Sequence, residues 1–343
     1  MYGKANSLSF YERSGFSPEK MSGEVKVGNG KTIIEDLRIT DSLSDLKLPL
    51  FMMSYENSRV FRFFTEKVKL DAEINSSTLS FGTLSYFVPA LDGKDITLSI
   101  SGVLEGTVSD FAVKDIQFKT DKGGVSGAVD GTVRSITDMS DAYLDVDLNR
   151  LRFTSDGIND FLCAWTGHEV PGLNDIAKGI EFQLDAQAYG KTDMLNLKAG
   201  LKSGKGNLNA RVLVENLISG KAPLKLSGRA STEDLDINSI IERVPLGPVT
   251  LKTDVHATLG QDPEIGIDTL RIDRLHFNDY DYSGIKATGN LHKGVASGGI
   301  SVNDPNLNIF INGNLSTSRK ANKKLYLNGS VAYADLNALH FDK

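Results

Sequence analysis

The chain has 343 residues, of which 40% are hydrophobic and 24% charged, a balance typical of an ordered rather than a disordered protein. Its formal net charge is −6 and it carries no basic–aromatic stripe, which argues against a nucleic-acid ligand. Cys163 is the only cysteine, so an intramolecular disulfide and a cysteine zinc cluster are excluded. No apolar run approaches the roughly 20 residues of a membrane-spanning helix, and no apolar signal core follows Met1.

Residues 1–95 form a less regular, β-rich N-terminal part. Val60, Phe63 and Phe64 lie at helical spacing, which predicts a short helix near residues 56–67. Alternation of apolar and polar residues predicts strands on both sides of this helix. These strands are Gly23–Val27, Ile33–Ile39 and Ser80–Val88.

Residues 96–343 form a repetitive strand body. Its strands alternate apolar and polar residues, and polar, glycine-containing turns separate them at a spacing of roughly 10–15 residues with no long helix between, which disfavours parallel βαβ units. In the second strand, for example, Ala112, Ile116 and Phe118 share the apolar parity. The sequence predicts an all-β (mainly β) fold: an elongated, curved, antiparallel and repetitive β-sheet, a β-taco or groove-like solenoid, with one or two short helices.

A helical insertion is predicted near residues 156–178. Thr154, Ser155 and Asp156 offer N-cap side chains, and apolar residues follow at helical spacing until Gly167. Pro171–Lys178 predicts a second short helix. The expected role of the insertion is to cover one end of the sheet or to fill one of its sides.

The motifs that usually carry chemistry have simpler interpretations here. Gly28-Asn29-Gly30-Lys31-Thr32 lacks the upstream glycine of a phosphate-binding loop and is interpreted as a turn. His256 and His276 fall on separate strands, and the pair Asp279 and Asp281 lacks the loop of a calcium site. We therefore predict no catalytic residue, no metal and no cofactor, and no enzymatic activity.

Several stretches together resemble the TamB-like proteins (translocation and assembly module) of the AsmA superfamily, in their Bacteroidetes form. They are Asp41–Leu50, Phe64–Leu70, Leu98–Gly102, Gly106–Phe111 and Tyr143–Leu148. The resemblance implies a periplasmic protein, held to the inner membrane by an N-terminal anchor, that meets an outer-membrane assembly protein through its C-terminal part. We expect the present sequence to be a middle fragment without either part. The family is linked to outer-membrane assembly and to phospholipid movement between membranes.

The preferred hypothesis is a non-enzymatic envelope segment whose apolar β groove holds phospholipid acyl chains. Small residues on the apolar parity are expected to leave room for those chains. A structural scaffold or adhesin with a closed core is the main alternative, and a β-helix enzyme acting on polysaccharide is less favoured. The residues predicted to line the groove are Leu98, Ile100, Ile116, Phe118, Leu144, Val146, Leu184, Leu197, Val212 and Leu226.

Overall fold

The computed structural model describes residues 2–8, 15–86, 91–121, 124–138, 140–167, 177–217, 222–241, 244–260, 263–316 and 324–341. The chain is about 66% strand and 10% helix, which confirms the predicted all-β, antiparallel fold. It divides into two compact units: unit 1 comprises Met1–Asn174 and Glu181–Asp185, and unit 2 comprises Asp175–Ile180 and Ala186–Lys343. The division at residue 95 stays a prediction.

In unit 1, strands β1 to β9 pair in chain order, each antiparallel to the next. The predicted turn at Gly28-Asn29-Gly30 joins β2 to β3, and Gly30 has a φ of 71°, the left-handed conformation that an Asn-Gly hairpin turn requires. The strands are β1 (Tyr2–Leu8), β2 (Lys20–Gly28), β3 (Lys31–Thr40), β4 (Asp45–Ser54), β5 (Lys69–Ser80), β6 (Thr97–Gly106), β7 (Phe111–Thr120), β8 (Val125–Arg134), β9 (Tyr143–Thr154) and the beginning of β10 (Glu181–Lys191).

The segment around β5 differs from its prediction. β5 was not predicted, and the predicted strand at Ser80–Val88 is wrong, because Phe81–Leu84 forms the short helix α2. Ser80 caps this helix by accepting a hydrogen bond from the Gly82 backbone N–H at 3.1 Å. Residues 87 and 88 of that prediction lie outside the described residues.

The predicted helix near residues 56–67 is present in two pieces. A 3₁₀ helix (Ser58–Phe63) leads directly into α1 (Phe64–Lys67). Val60 is buried as its spacing predicts, but Phe63 is exposed. The backbone of Phe63 departs from helical geometry, with φ −122° and ψ 47°, at the junction between the two helices. The Lys67 ammonium lies over the Phe63 ring, 5.1 Å from its centroid.

Helix α3 (Ser155–Thr166) confirms the first helix of the predicted insertion, which begins after Thr154 and ends at Gly167 as expected. The Thr154 hydroxyl accepts a hydrogen bond from the Gly157 N–H, and Gly167 ends the helix in the left-handed conformation. Gly157 lies so close to Gly124, just before β8, that a Cβ on either residue would overlap the other's backbone. α3 therefore covers one end of the unit 1 sheet. The predicted second helix, Pro171–Lys178, falls almost wholly outside the described residues.

β-Bulges interrupt the alternation in several strands of both units. At five of these bulges one residue has a positive φ, and the sheet bends and twists there. In β7 the bulge at Asp115 places Val113, rather than Ala112, on the same face as Ile116, so the predicted parity of Ala112 is wrong. The bulge residues with φ between 40° and 49° are Asp36, Ser76, Asp115, Arg150 and Asp234.

In unit 2, strands β11 to β20 also pair in chain order and antiparallel, except that β15 pairs with both β16 and β17. A short helix, α4, spans Ile237–Ile240. The strands are β11 (Met194–Ser203), β12 (Gly206–Glu215), β13 (Leu224–Asp236), β14 (Pro248–Leu259), β15 (Glu264–Phe277), β16 (Tyr280–Tyr282), β17 (Ile285–His292), β18 (Val295–Asp304), β19 (Leu307–Ser316) and β20 (Leu325–Ala334).

Among the described residues, two compact hydrophobic clusters stand out, one in each unit. In unit 1, Ile34, Leu37 and Leu48 of β3 and β4 are buried against each other. In unit 2, Tyr282, Ile285, Val302 and Leu339 form a buried cluster at one end of the strands. These clusters are closed to solvent, whereas much of the remaining apolar surface of the sheet is only half-buried.

Candidate functional site: the apolar face of the sheet

The strand register of unit 2 gathers its apolar side chains on one face. Directly opposed residues on antiparallel strands point to the same side, so a chain of opposed pairs traces a face across the sheet. One such chain begins at Leu197, which opposes Val212, and Val212 in turn opposes Gly228. The face continues through the following strands to Leu325, Leu327 and Val331 of β20. We call this surface the apolar face of unit 2.

This face is nearly free of charge. Among the described residues that the strand register places on it from β11 to β20, Asp304 is the one charged residue. In a chain that is 24% charged, this depletion separates the face sharply from the opposite side of the same strands. The face is therefore apolar across all ten strands, except at the end of the strands where Asp304 is buried.

The apolar face of unit 2 is accessible to solvent over much of its area. Ile300 in β18 is 38% exposed, Ile265 in β15 is 49% exposed and Leu327 in β20 is 64% exposed. Side chains inside a close-packed core do not retain such exposure. Exposure is lowest at the end of the strands where the cluster around Ile285 and Val302 lies.

Three of the predicted groove residues lie in unit 2, and the register places all three on the apolar face. Leu197 and Val212 oppose one another, and Leu226 opposes Val214 on the same face. All three are half-buried.

The other seven predicted residues lie in unit 1. Ile100 opposes Phe118, and Leu98 has the parity of Ile100. The next pairs on that face join Ile116 to Val129, Val146 to Gly131, and Leu144 to Val133. Leu184 in β10 is half-buried and has the parity of Phe182, whose ring stacks on that of Phe153 with centroids 5.6 Å apart.

Ile100 is buried, and the other six residues of unit 1 are half-buried. The register thus brings the unit 1 residues of β6 to β9 onto one face of their own sheet.

The glycines on these faces do not all leave free space, as the sequence hypothesis expected. A Cβ at Gly228 would overlap the carbonyl oxygen of Arg211 on the adjacent strand, and a Cβ at Gly298 would overlap that of Thr288. These two glycines are required because neighbouring backbones approach closely. The accessible space on the face therefore comes from the uncovered side chains rather than from missing ones.

Sequence reasoning missed part of this surface. Strand β18 was not predicted, because its Ser297-Gly298-Gly299 centre weakens the alternation, and Ile300 was missed with it. The most exposed apolar residues of β15 and β20 were assigned to strands but not to the site. Their alternation could have assigned them to the apolar face, whereas their exposure cannot be read from the sequence.

The residues with potential for chemistry are held apart. His256 opposes Gly266 near the start of β15, whereas His276 lies ten residues further along that strand, so the two rings do not meet. Each ring contacts its own carboxylate, Asp268 at 2.9 Å and Asp281 at 2.8 Å. Asp279 lies in the tight turn between β15 and β16.

In the part of the chain that the structure describes, no group of three or more His, Cys, Asp or Glu side chains is arranged to hold a metal ion. Within the same residues, no helix has the length and apolar character needed to cross a bilayer. Cys163 is half-buried in α3 and forms no disulfide.

Comparison of the chain with known protein families, curated proteins and solved structures finds no match. The likeness to TamB-like proteins thus remains a sequence resemblance, and the argument for function rests on the apolar face itself.

Proposed function

We propose that the apolar face holds lipid acyl chains and that the protein is a non-enzymatic envelope segment, periplasmic, that takes part in phospholipid transport between membranes and in outer-membrane assembly. The observation that carries this proposal is that the apolar face of unit 2 is uncharged except at Asp304 and is open to solvent. On this face Ile300 is 38% exposed and Leu327 is 64% exposed. The resemblance to TamB-like proteins supports the location, the inner-membrane anchor and an outer-membrane assembly partner.

An acyl chain matches this surface chemically. Each methylene transferred from water to the face contributes about 0.8 kcal/mol, and no hydrogen-bond partner is needed. Soluble proteins rarely expose large contiguous apolar patches unless a ligand, a partner or a membrane covers them. The alternating pattern supplies the patch without a polar constellation, which agrees with a binding rather than a catalytic role.

The test uses Ile300→Asp, which places a carboxylate at the middle of the apolar face, opposed to Ala287 and Ile311. Because Ile300 is 38% exposed, the carboxylate stays partly hydrated and the fold is expected to survive. The matched control is Ser297→Asp, on the same strand and the opposite face. Both variants and the wild type are titrated with a fluorescently labelled phosphatidylethanolamine, and melting temperatures are recorded in parallel.

We expect Ile300→Asp to reduce bound lipid at least fivefold while Ser297→Asp binds like the wild type. Equal binding by all three proteins would refute the proposal. A wild type that binds no lipid, together with an unfolded Ile300→Asp variant, would favour the closed-core scaffold instead.

A further inference from the structure

The polar side of unit 1 carries a depression of about 580 Å³ that spans five adjacent strands, β5 to β9. Its wall is made mostly of hydroxyl and amide side chains, together with Lys119, Arg150 and Arg152. The lining contains no carboxylate. The protein has a net charge of −6, but this surface carries three cations and no acid, so its local charge is positive.

The cations belong to an ordered row. In the strand register, Thr78 opposes Ser99, Ser99 opposes Lys119, Lys119 opposes Ser126 and Ser126 opposes Arg152. With adjacent strands about 4.8 Å apart, the row is about 19 Å long and its two cations are about 10 Å apart. Hydroxyl groups therefore lie beside and between two positive charges along a straight line.

Bulges shape the depression. Ser76 in β5 and Arg150 in β9, both bulge residues with positive φ, lie in its lining, and a third bulge in β7 lies between them. Because bulges bend their strands, they recess the row below the surrounding surface. We call this recessed surface, lined by Thr78, Ser99, Lys119, Ser126, Arg150 and Arg152, the polar trough.

The charges in the trough are available to a ligand. Lys119 and Arg152 are exposed, and neither forms an ion pair with any residue that the structure describes. The acids beside the trough contact other groups. Asp130 accepts from the Asn149 amide at 3.0 Å and from the Asp115 backbone N–H at 2.7 Å. Asp115 accepts from the Gln117 amide at 3.3 Å, and Asp185 accepts from the Arg150 backbone N–H at 2.8 Å. Asp45, which opposes Thr78 beyond the end of the row, is paired with Arg38.

We propose that the polar trough binds an anionic oligosaccharide, a linear polyol that carries sulfate, phosphate or carboxylate groups. The two cations of the row bind its anionic groups, and the hydroxyl and amide side chains exchange hydrogen bonds with its hydroxyls. A flat membrane surface fits a recessed trough poorly. Single-stranded nucleic acid needs several aromatic rings for base stacking. Phe118 is the one aromatic residue in the lining, and it has the parity of the opposite face, where it opposes Ile100. This site is separate from the acyl-chain face.

The decisive variant is Lys119→Gln/Arg152→Gln, which removes both charges of the row at exposed positions. Its matched control is Lys252→Gln/Arg271→Gln, a directly opposed pair of exposed cations on the sheet of unit 2. The probes are a heparin-derived octasaccharide, neutral maltooctaose, inorganic phosphate and vesicles of phosphatidylglycerol with phosphatidylcholine. Binding is measured by titration calorimetry, or by cosedimentation for vesicles, in low salt and again at 150 mM salt.

We expect the octasaccharide to bind the wild type and the control variant within twofold of each other, and the Lys119→Gln/Arg152→Gln variant at least tenfold more weakly with less salt dependence. Maltooctaose and phosphate are expected to bind at least tenfold more weakly than the octasaccharide. Equal weakening of the control variant would overturn the proposal, because net charge alone would then explain binding. Vesicle binding that depends on Lys119 and Arg152, without octasaccharide binding, would also overturn it in favour of a membrane surface.

Discussion

The Asp304 carboxylate is buried at one end of the apolar face of unit 2. Its substitution tests how much its hydrogen bonds stabilise that end of the fold. Asp304 is 2% exposed and accepts four hydrogen bonds. Oδ1 accepts from the Tyr280 hydroxyl at 2.6 Å and the Asn306 N–H at 2.9 Å, and Oδ2 accepts from the Ser283 N–H and hydroxyl, each at 2.8 Å. The carboxylate thus ties three turns of the chain together.

Asp304→Asn keeps the shape of the side chain but replaces one acceptor oxygen with a donor NH₂ group. That group then faces a backbone N–H of either Ser283 or Asn306, so at least one charged hydrogen bond is lost and a buried donor is left unpaired. A hydrogen bond to a charged group contributes about 1.5–3 kcal/mol, and an unpaired buried donor costs about 1–3 kcal/mol. We expect the variant to lose about 3 kcal/mol of unfolding free energy, which lowers the melting temperature by about 6–12 °C for a unit of this size.

The control is Asp279→Asn, an exposed aspartate in the neighbouring turn, which should change the unfolding free energy by less than about 0.5 kcal/mol. Thermal melts of the three proteins at pH 7, followed by circular dichroism, give the comparison. An Asp304→Asn variant as stable as the wild type would refute the argument, because the four hydrogen bonds would then contribute nothing.

The pH dependence gives a second, independent readout. Burial acts to raise the pKa of Asp304, but the hydrogen bonds from Tyr280, Asn306 and Ser283 outweigh it, so the pKa lies below its usual 3.8. A carboxyl group with a lowered pKa stabilises the fold above its unfolded-state pKa and loses that stabilisation as the pH falls through the folded-state value. The wild type should therefore exceed Asp304→Asn by a constant margin above about pH 5, and the margin should shrink below about pH 4.

Two further predictions concern other parts of the chain. Thr154→Ala removes the N-cap of α3 and should cost about 1 kcal/mol in chemical denaturation, and Thr154→Ser should restore most of it because the hydroxyl is kept. EDTA treatment should leave the melting temperature within about 1 °C of the untreated protein, as expected of a fold without a structural metal, and a large drop would reveal a site that the sequence prediction missed.

Local signals in the sequence were sufficient for some elements and not for others. Helix α3 was predictable at both ends, because Thr154 and Gly167 act on backbone groups within their own turns. Strand β5 and helix α2 were not predictable. The boundary between them at Ser80 depends on a capping hydrogen bond that the residues after Ser80 do not indicate. The parity of Ala112 was wrong because the bulge at Asp115 is a property of the pairing with β8, which no local pattern contains.

The same division applies to the candidate sites. Residues such as Leu197 and Val212 were predictable, because alternation alone assigns them to one face. Their exposure was not, since it depends on what covers the face. The polar trough was beyond sequence reasoning altogether: Lys119 and Arg152 are 33 positions apart in the chain and become neighbours of Ser126 only through the register of β7, β8 and β9.

The polar trough and the apolar face of the same unit 1 strands are linked by strand register and yet separable by substitution. Phe118 and Lys119 are consecutive, so they project to opposite faces of β7, one toward Ile100 and the other toward Ser126. A slip of one residue would exchange the two faces, which is why the register must be fixed over the whole sheet. At fixed register, Lys119→Gln changes the polar trough and leaves Phe118 in place. Loss of octasaccharide binding without loss of lipid binding is therefore the expected behaviour of the trough variant, and the reverse is expected of Ile300→Asp.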